Sequence, residues 1–150
     1  MRKMLFLLFL LSVSFMATAQ VNNPVEWTFS AKKITKEDYE IYMTANIDKG
    51  WHIYSTTTPD GGPVPTAITF RKNPLLTVSG KIKEIGKLEQ KYEPLFGVDV
   101  KQFSGRVDFV ATIKLKTAVK TNVTGSVEFM VCNDKECLPP ATEQFSISLK

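Results

Sequence analysis

The feature that most restricts the fold of this chain is an alternation of apolar and polar residues with a period of two. In Arg106-Val107-Asp108-Phe109-Val110-Ala111-Thr112-Ile113-Lys114-Leu115, Val107, Phe109, Ala111, Ile113 and Leu115 fall on one side, and charged or hydroxyl residues mostly fall on the other. Successive side chains of a strand point to opposite faces, so the pattern predicts a strand with one buried and one wet face. Strand-type segments recur at 25–31, 39–47, 51–54, 67–71, 76–82, 98–103, 123–131 and 143–149. No sustained 3.6-residue apolar stripe with caps interrupts them; only Thr35-Lys36-Glu37-Asp38 suggests a brief helix start.

Turn residues separate the segments: Asp48-Lys49-Gly50, Pro59-Asp60-Gly61-Gly62-Pro63, Ser79-Gly80, Phe96-Gly97 and Ser104-Gly105. Short strands with turns at this spacing predict an all-β fold, an immunoglobulin-like antiparallel β-sandwich. A parallel α/β sheet would need crossover helices. Gly61-Gly62 is read as a turn and not as a phosphate cradle, because Pro63 and Pro65 remove backbone donors and no helix follows.

Residues 1–19 are set apart from the fold. Arg2 and Lys3 precede an apolar run over 5–16, and Ala17-Thr18-Ala19 supplies a small-residue cleavage pattern, so a secretory signal peptide is expected, with a mature start at Gln20. The run is short for a membrane span and no cysteine sits at the cleavage point for a lipid anchor; no stable membrane insertion is expected after cleavage. The remaining residues, 20–150, suffice for one domain with a hydrophobic core. Loss of Arg2 and Lys3 leaves 17 basic against 15 acidic residues, a net charge of +2. With no Lys/Arg stripe, nucleic acid is excluded as an expected partner. The basic stretch 81–91 is interleaved with Glu84 and Glu89 and is read as a solvated strand face.

The chemistry rests on two cysteines, Cys132 and Cys137, in Phe129-Met130-Val131-Cys132-Asn133-Asp134-Lys135-Glu136-Cys137-Leu138-Pro139-Pro140. An exported protein meets conditions in which disulfides persist, so the two are expected to be bonded. As a staple, so small a ring stabilises by only about 2 kcal/mol in the chain-entropy model, against ~4–5 kcal/mol for a ring near 100 residues. The same closeness suits exchange, because the second sulfur can attack a mixed disulfide formed by the first at high effective concentration. Spacing alone leaves both readings open, a redox pair or a local structural clip. One His and two Cys make no zinc set, so no metal is expected, and exchange needs no cofactor. Lys135 would favour a thiolate while Asp134 and Glu136 would oppose it, and the motif is neither C-x-x-C nor followed by a helix.

Gly50-Trp51-His52-Ile53-Tyr54-Ser55, the stretch from Pro59 through Gly61-Gly62-Pro63 to Thr66, Tyr92-Glu93-Pro94-Leu95-Phe96-Gly97 and the cysteine loop with its diproline occur in the family order of one known group. In these residues the chain resembles the amino-terminal periplasmic domain of the transmembrane thiol–disulfide interchange reductase DsbD, especially its short Bacteroidetes-type relatives. The resemblance implies a periplasmic thiol–disulfide oxidoreductase component with Cys132 and Cys137 as its redox centre. The pair would be reduced by a membrane thiol reductase or thioredoxin-like carrier and would then reduce disulfide-bearing client proteins. It further implies a cap over residues 92–97, with Leu95 or Phe96 covering the disulfide, Glu93 as a nearby carboxylate, and His52 and Tyr54 flanking the site. By the family pattern Cys137 is the sulfur that engages the client.

Two departures stand beside the resemblance. The cysteines enclose four residues where the best-known member encloses five, and no membrane or thioredoxin-like domain follows in the sequence, so docking onto a separate reductase or carrier is expected. Read without the resemblance, His52 is either a general base for a thiol or a strand side chain packed beside Trp51, and Tyr54 and Phe96 are core aromatics. The alternative function is an exported β-sandwich binding or scaffold domain in which the disulfide is an inert clip.

Overall fold

The computed structural model describes residues 23–149; the expected signal peptide at 1–19 lies outside the described residues. The described residues form nine strands: β1 Val25–Lys33, β2 Asp38–Ile47, β3 His52–Tyr54, β4 Ala67–Phe70, β5 Leu76–Glu93, β6 Val98–Leu115, β7 Thr121–Phe129, β8 Val131–Cys132 and β9 Ala141–Leu149. They make two antiparallel sheets. One runs β1-β2-β6-β3-β8 with β5 on the other edge of β6, and the other runs β4-β7-β9. The fold is the expected immunoglobulin-like sandwich.

The period-two pattern becomes the core. Tyr39, Ile41, Met43 and Ala45 of β2 lie opposite Ile113, Ala111, Phe109 and Val107 of β6, and all eight are buried. Val123, Val127 and Phe129 of β7 and Phe145, Ile147 and Leu149 of β9 complete the same cluster from the second sheet. Trp27 links the layers, its ring 5.9 Å from Phe109 and 5.2 Å from Phe129. Gly125 leaves room between β4 and β9: a Cβ there would stand 2.5 Å from Phe145 Cζ and collide with the Thr69 carbonyl oxygen.

Three expectations are corrected. Thr35-Lys36-Glu37-Asp38 forms a turn, because the Thr35 hydroxyl accepts the Glu37 and Asp38 N–H groups (3.2 and 3.0 Å) and ties the segment locally. Ser79-Gly80 and Ser104-Gly105 do not reverse the chain. They are irregularities inside two long strands, where the β5–β6 register shifts between Ser79 and Lys83 and between Gly86 and Leu88. Gly80 and Gly105 take positive φ (74° and 73°), which lets extra residues bulge without ending the pairing. The segment expected as one strand over 123–131 breaks at Met130. There the chain leaves the β4-β7-β9 sheet and joins β3 of the other sheet as β8.

Candidate functional site

That change of sheet carries Cys132 into the large sheet beside β3, where His52 is its ladder partner. Alternation then divides the neighbouring residues. Trp51, Ile53, Phe103 and Val131 pack in the inter-sheet core, whereas Tyr54, Val100 and Cys132 form a second, separate buried cluster. His52, expected beside Trp51 in the simpler reading, instead joins the opposite side and contacts Tyr54.

Cys132 and Cys137 are disulfide-bonded, with Cα atoms 4.0 Å apart. The loop between them is held locally: Asn133 N–H donates to the Glu136 carbonyl (2.9 Å), and the Asn133 side-chain oxygen accepts the Lys135 and Glu136 N–H groups (2.8 and 2.9 Å). Asn seeds such side-chain turns, which explains how four residues close the ring without a glycine. Leu138 N–H donates to the Val131 carbonyl (3.0 Å) and fixes the exit. The two cysteines differ in setting: Cys132 is fully buried and Cys137 only partly. Asp134, Lys135 and Glu136 are exposed, and Asp134 lies 3.7 Å from Lys91 Nζ, a solvated pair worth little energetically.

Beside the disulfide, three buried polar side chains satisfy one another. Tyr54 Oη donates to Glu93 Oε2 (3.3 Å), and His52 Nε2 lies 3.1 Å from Tyr54 Oη and 3.4 Å from Glu93 Oε2. With the Tyr54 proton directed at Glu93, a neutral imidazole carrying its proton on Nε2 satisfies both contacts. Burial pulls the His52 pKa below its usual 6.5; Glu93 opposes that shift and Lys91 adds to it. Burial and the Glu93 carboxyl push the Tyr54 phenol well above its usual range. Both side chains are thereby held in their neutral forms near neutral pH.

Glu93 ends β5 and also organises the turn that follows. Its carbonyl accepts Phe96 N–H (3.2 Å) and Gly97 N–H (2.8 Å), its Oε1 accepts Leu95 N–H (3.4 Å), and Gly97 takes φ 72°. Phe96 packs against the Tyr54–Val100–Cys132 cluster together with Val98, Met130 and Cys137. Leu95 and Tyr92 project outward, 49% and 59% exposed. Of the two residues expected to cover the pair, Phe96 therefore meets the cluster and Leu95 faces solvent.

The segment between β3 and β4 lies over this same side of the sheet and is fastened at both ends. Ser55 N–H and the Thr58 hydroxyl donate to the Lys101 carbonyl (2.8 and 2.7 Å), and the Thr66 hydroxyl donates to the Tyr54 carbonyl (2.5 Å). Glu84 accepts the Ser55 hydroxyl, the Thr56 hydroxyl and the Thr56 N–H at 2.7–2.8 Å. Sequence patterning missed this strap, and it missed Val98, Val100 and Met130 as site residues. Val98 and Val100 show strand alternation, but alternation cannot say which face meets a cysteine carried on a distant strand. Among the described residues no group of three or more His, Cys, Asp or Glu is placed to hold a metal ion, and no helix is long and apolar enough to cross a membrane.

The family described as thiol:disulfide interchange protein DsbD, N-terminal, matches residues 18–149. No curated protein matches the sequence. Among solved structures, the N-terminal periplasmic domain of ScsB from Proteus mirabilis is similar at TM-score 0.58 and 20% identity, over 88% of this chain and 48% of that one. The chain thus spans about half of that relative. The Neisseria meningitidis DsbD N-terminal domain in the reduced form is similar at TM-score 0.54 and 17% identity, over 83% of this chain and 85% of that one. At such identities the structures speak for the shared sandwich, while the family match covers nearly all of the sequence. The chain belongs to the family of DsbD amino-terminal domains and is a thiol–disulfide interchange domain with its disulfide at Cys132–Cys137.

Proposed function

We propose that this protein is an electron-transfer module of the periplasm, exported by a cleaved signal at 1–19 and working as the single domain 20–150. A reduced partner, a membrane thiol reductase or a thioredoxin-like carrier, supplies a thiolate that attacks Cys137. A carrier–Cys137 disulfide forms, the Cys132–Cys137 bond breaks, and Cys132 leaves as a thiolate that takes up a proton. The carrier's second thiol then attacks its own sulfur in the mixed disulfide and releases Cys137, so the carrier is oxidised and the domain reduced. Toward a client the direction reverses: Cys137 attacks the client disulfide, and Cys132 resolves the mixed disulfide while the client keeps both electrons.

The observation that carries this reading is the unequal burial of the two cysteines beside a cluster that one aromatic side chain covers. Cys137 is the more accessible cysteine and Cys132 the protected one, and Phe96 packs against the buried cluster that contains Cys132. A structural clip has no use for an aromatic cover carried on a short turn outside the inter-sheet core. In the exchange reading, His52, Tyr54 and Glu93 hold the base of that cover and give the released Cys132 a polar neighbourhood.

Equilibration of the protein with defined thiol/disulfide buffers tests the function. A reduction potential within about −180 to −270 mV, the range of exchange proteins, is the expected result. A value far below about −300 mV, the region of structural bridges, would favour the inert clip.

A further inference from the structure

The two adjacent glycines of the strap have different reasons to be glycine. Gly61 takes φ 89° and has open space where a Cβ would stand. Gly62 has no such backbone demand; its constraint is spatial, since a Cβ would stand 2.8 Å from Val98 Cγ2 and 3.8 Å from Val100 Cγ1. The next residue, Pro63, is buried. The strap is therefore pressed onto the two valines that pack against Tyr54 and Cys132, and its fastened ends leave it little room to retreat.

Val98 has a second role in the same place. It is the ladder partner of Glu93, the last β5–β6 pair before the turn that carries Phe96. Two covers thus meet at one side chain: a strap tied down at both ends, and a short cap held by the Glu93 turn bonds.

We propose that Gly62 is a positioning residue that sets how tightly the cap closes over the disulfide, acting through Val98. The absent side chain lets the strap seat against Val98, and Val98 in turn holds the hinge pair of the cap. A methyl group at position 62 cannot be accommodated by the strap, so Val98 shifts, the Glu93–Val98 pair loosens, and Phe96 spends more time away from the sulfurs. The strap is the fixed wall against which the cap opens and shuts. The functional importance of this gate rests on the exchange reading, but its existence does not.

The test follows the rate at which dithiothreitol reduces the Cys132–Cys137 disulfide of the purified chain under native conditions. Dithiothreitol forms its cyclic disulfide, and the two cysteines become thiols. Gly62→Ala is expected to raise the rate about fivefold, the response of a closed state destabilised by about 1 kcal/mol. Val98→Ala removes the methyls that the new side chain meets, so adding Gly62→Ala to Val98→Ala should leave the rate at that of Val98→Ala alone. An unchanged rate in Gly62→Ala overturns the proposal, and so does an increase of equal size in the presence and absence of the Val98 methyls, which would mean general loosening of the loop. Should Gly62→Ala not fold, Val98→Leu presses the same contact from the other side. A faster reduction in that variant supports the proposal, and an unchanged rate overturns it. The potential of the pair is read separately, so a value in the structural range would remove the exchange function without touching the gate.

Discussion

Ile53 and its two neighbours belong to different environments although they share a three-residue strand. Ile53 points with Phe103 and Val131 into the apolar core between the sheets. His52 and Tyr54 point the other way, toward Glu93 and the disulfide, and these three buried polar side chains bond one another. The inner side is an apolar core, and the outer side holds the disulfide with its polar neighbours. A sheet can hold both because one residue of register separates them, and perturbing one side should leave the other largely intact.

The largest expected effect lies on the inner side. Phe129→Ala should cost about 3–5 kcal/mol of stability, since it empties a fully buried aromatic site shared by both sheets. A urea titration reads this, and the dithiothreitol reduction rate of the still-folded protein should not change. Gly125→Ala should cost about 1–3 kcal/mol by overpacking against Phe145, again without altering the rate. Phe96→Ala should do the opposite: a smaller loss of stability, because the side chain is only partly buried, but reduction faster by about tenfold, equal to ~1.4 kcal/mol in the cover equilibrium. A stability loss matching that of Phe129→Ala with no change in rate would place Phe96 with the core.

The smallest effect is in pH. Burial lowers the His52 pKa in the folded protein, so the unfolded chain takes up a proton near 6.5 that the folded one resists. The contribution of His52 is thus fully present above pH 6.5 and is lost as pH falls through the folded-state value, with a slope of at most about 1.4 kcal/mol per pH unit for one proton. His52→Gln should flatten this part of the stability–pH curve measured by urea unfolding. An unaltered slope would mean that the imidazole is not held neutral by the fold.

Much of this division was legible in the residues. The alternation in β2 and β6 fixed which side chains meet in the core, and the cysteine spacing with the diproline, joined to the resemblance, pointed to the pair. The alternation could not distinguish a chain reversal at Ser104-Gly105 from a bulge, because the same glycine supplies the positive φ that either needs. Nor could it foresee the break at Met130, where the decisive factor is which sheet receives the next two residues. Gly62 escaped for a related reason: a glycine required by a neighbour's methyl group looks the same in sequence as one required by a turn. Phe96 rather than Leu95 meeting the Cys132 cluster follows from the direction of the Glu93 turn, which depends on its hydrogen bonds.

Trapping with single-cysteine variants tests the central claim most directly, that the outer side presents one reactive sulfur and shelters the other. Cys132→Ser, incubated with a thioredoxin-like protein whose resolving cysteine is removed and whose remaining cysteine is activated as a mixed disulfide with thionitrobenzoate, should displace thionitrobenzoate and accumulate a stable mixed disulfide through Cys137. Cys137→Ser should trap far more slowly through the buried Cys132. Equal trapping through both sulfurs, or through neither, would contradict the account.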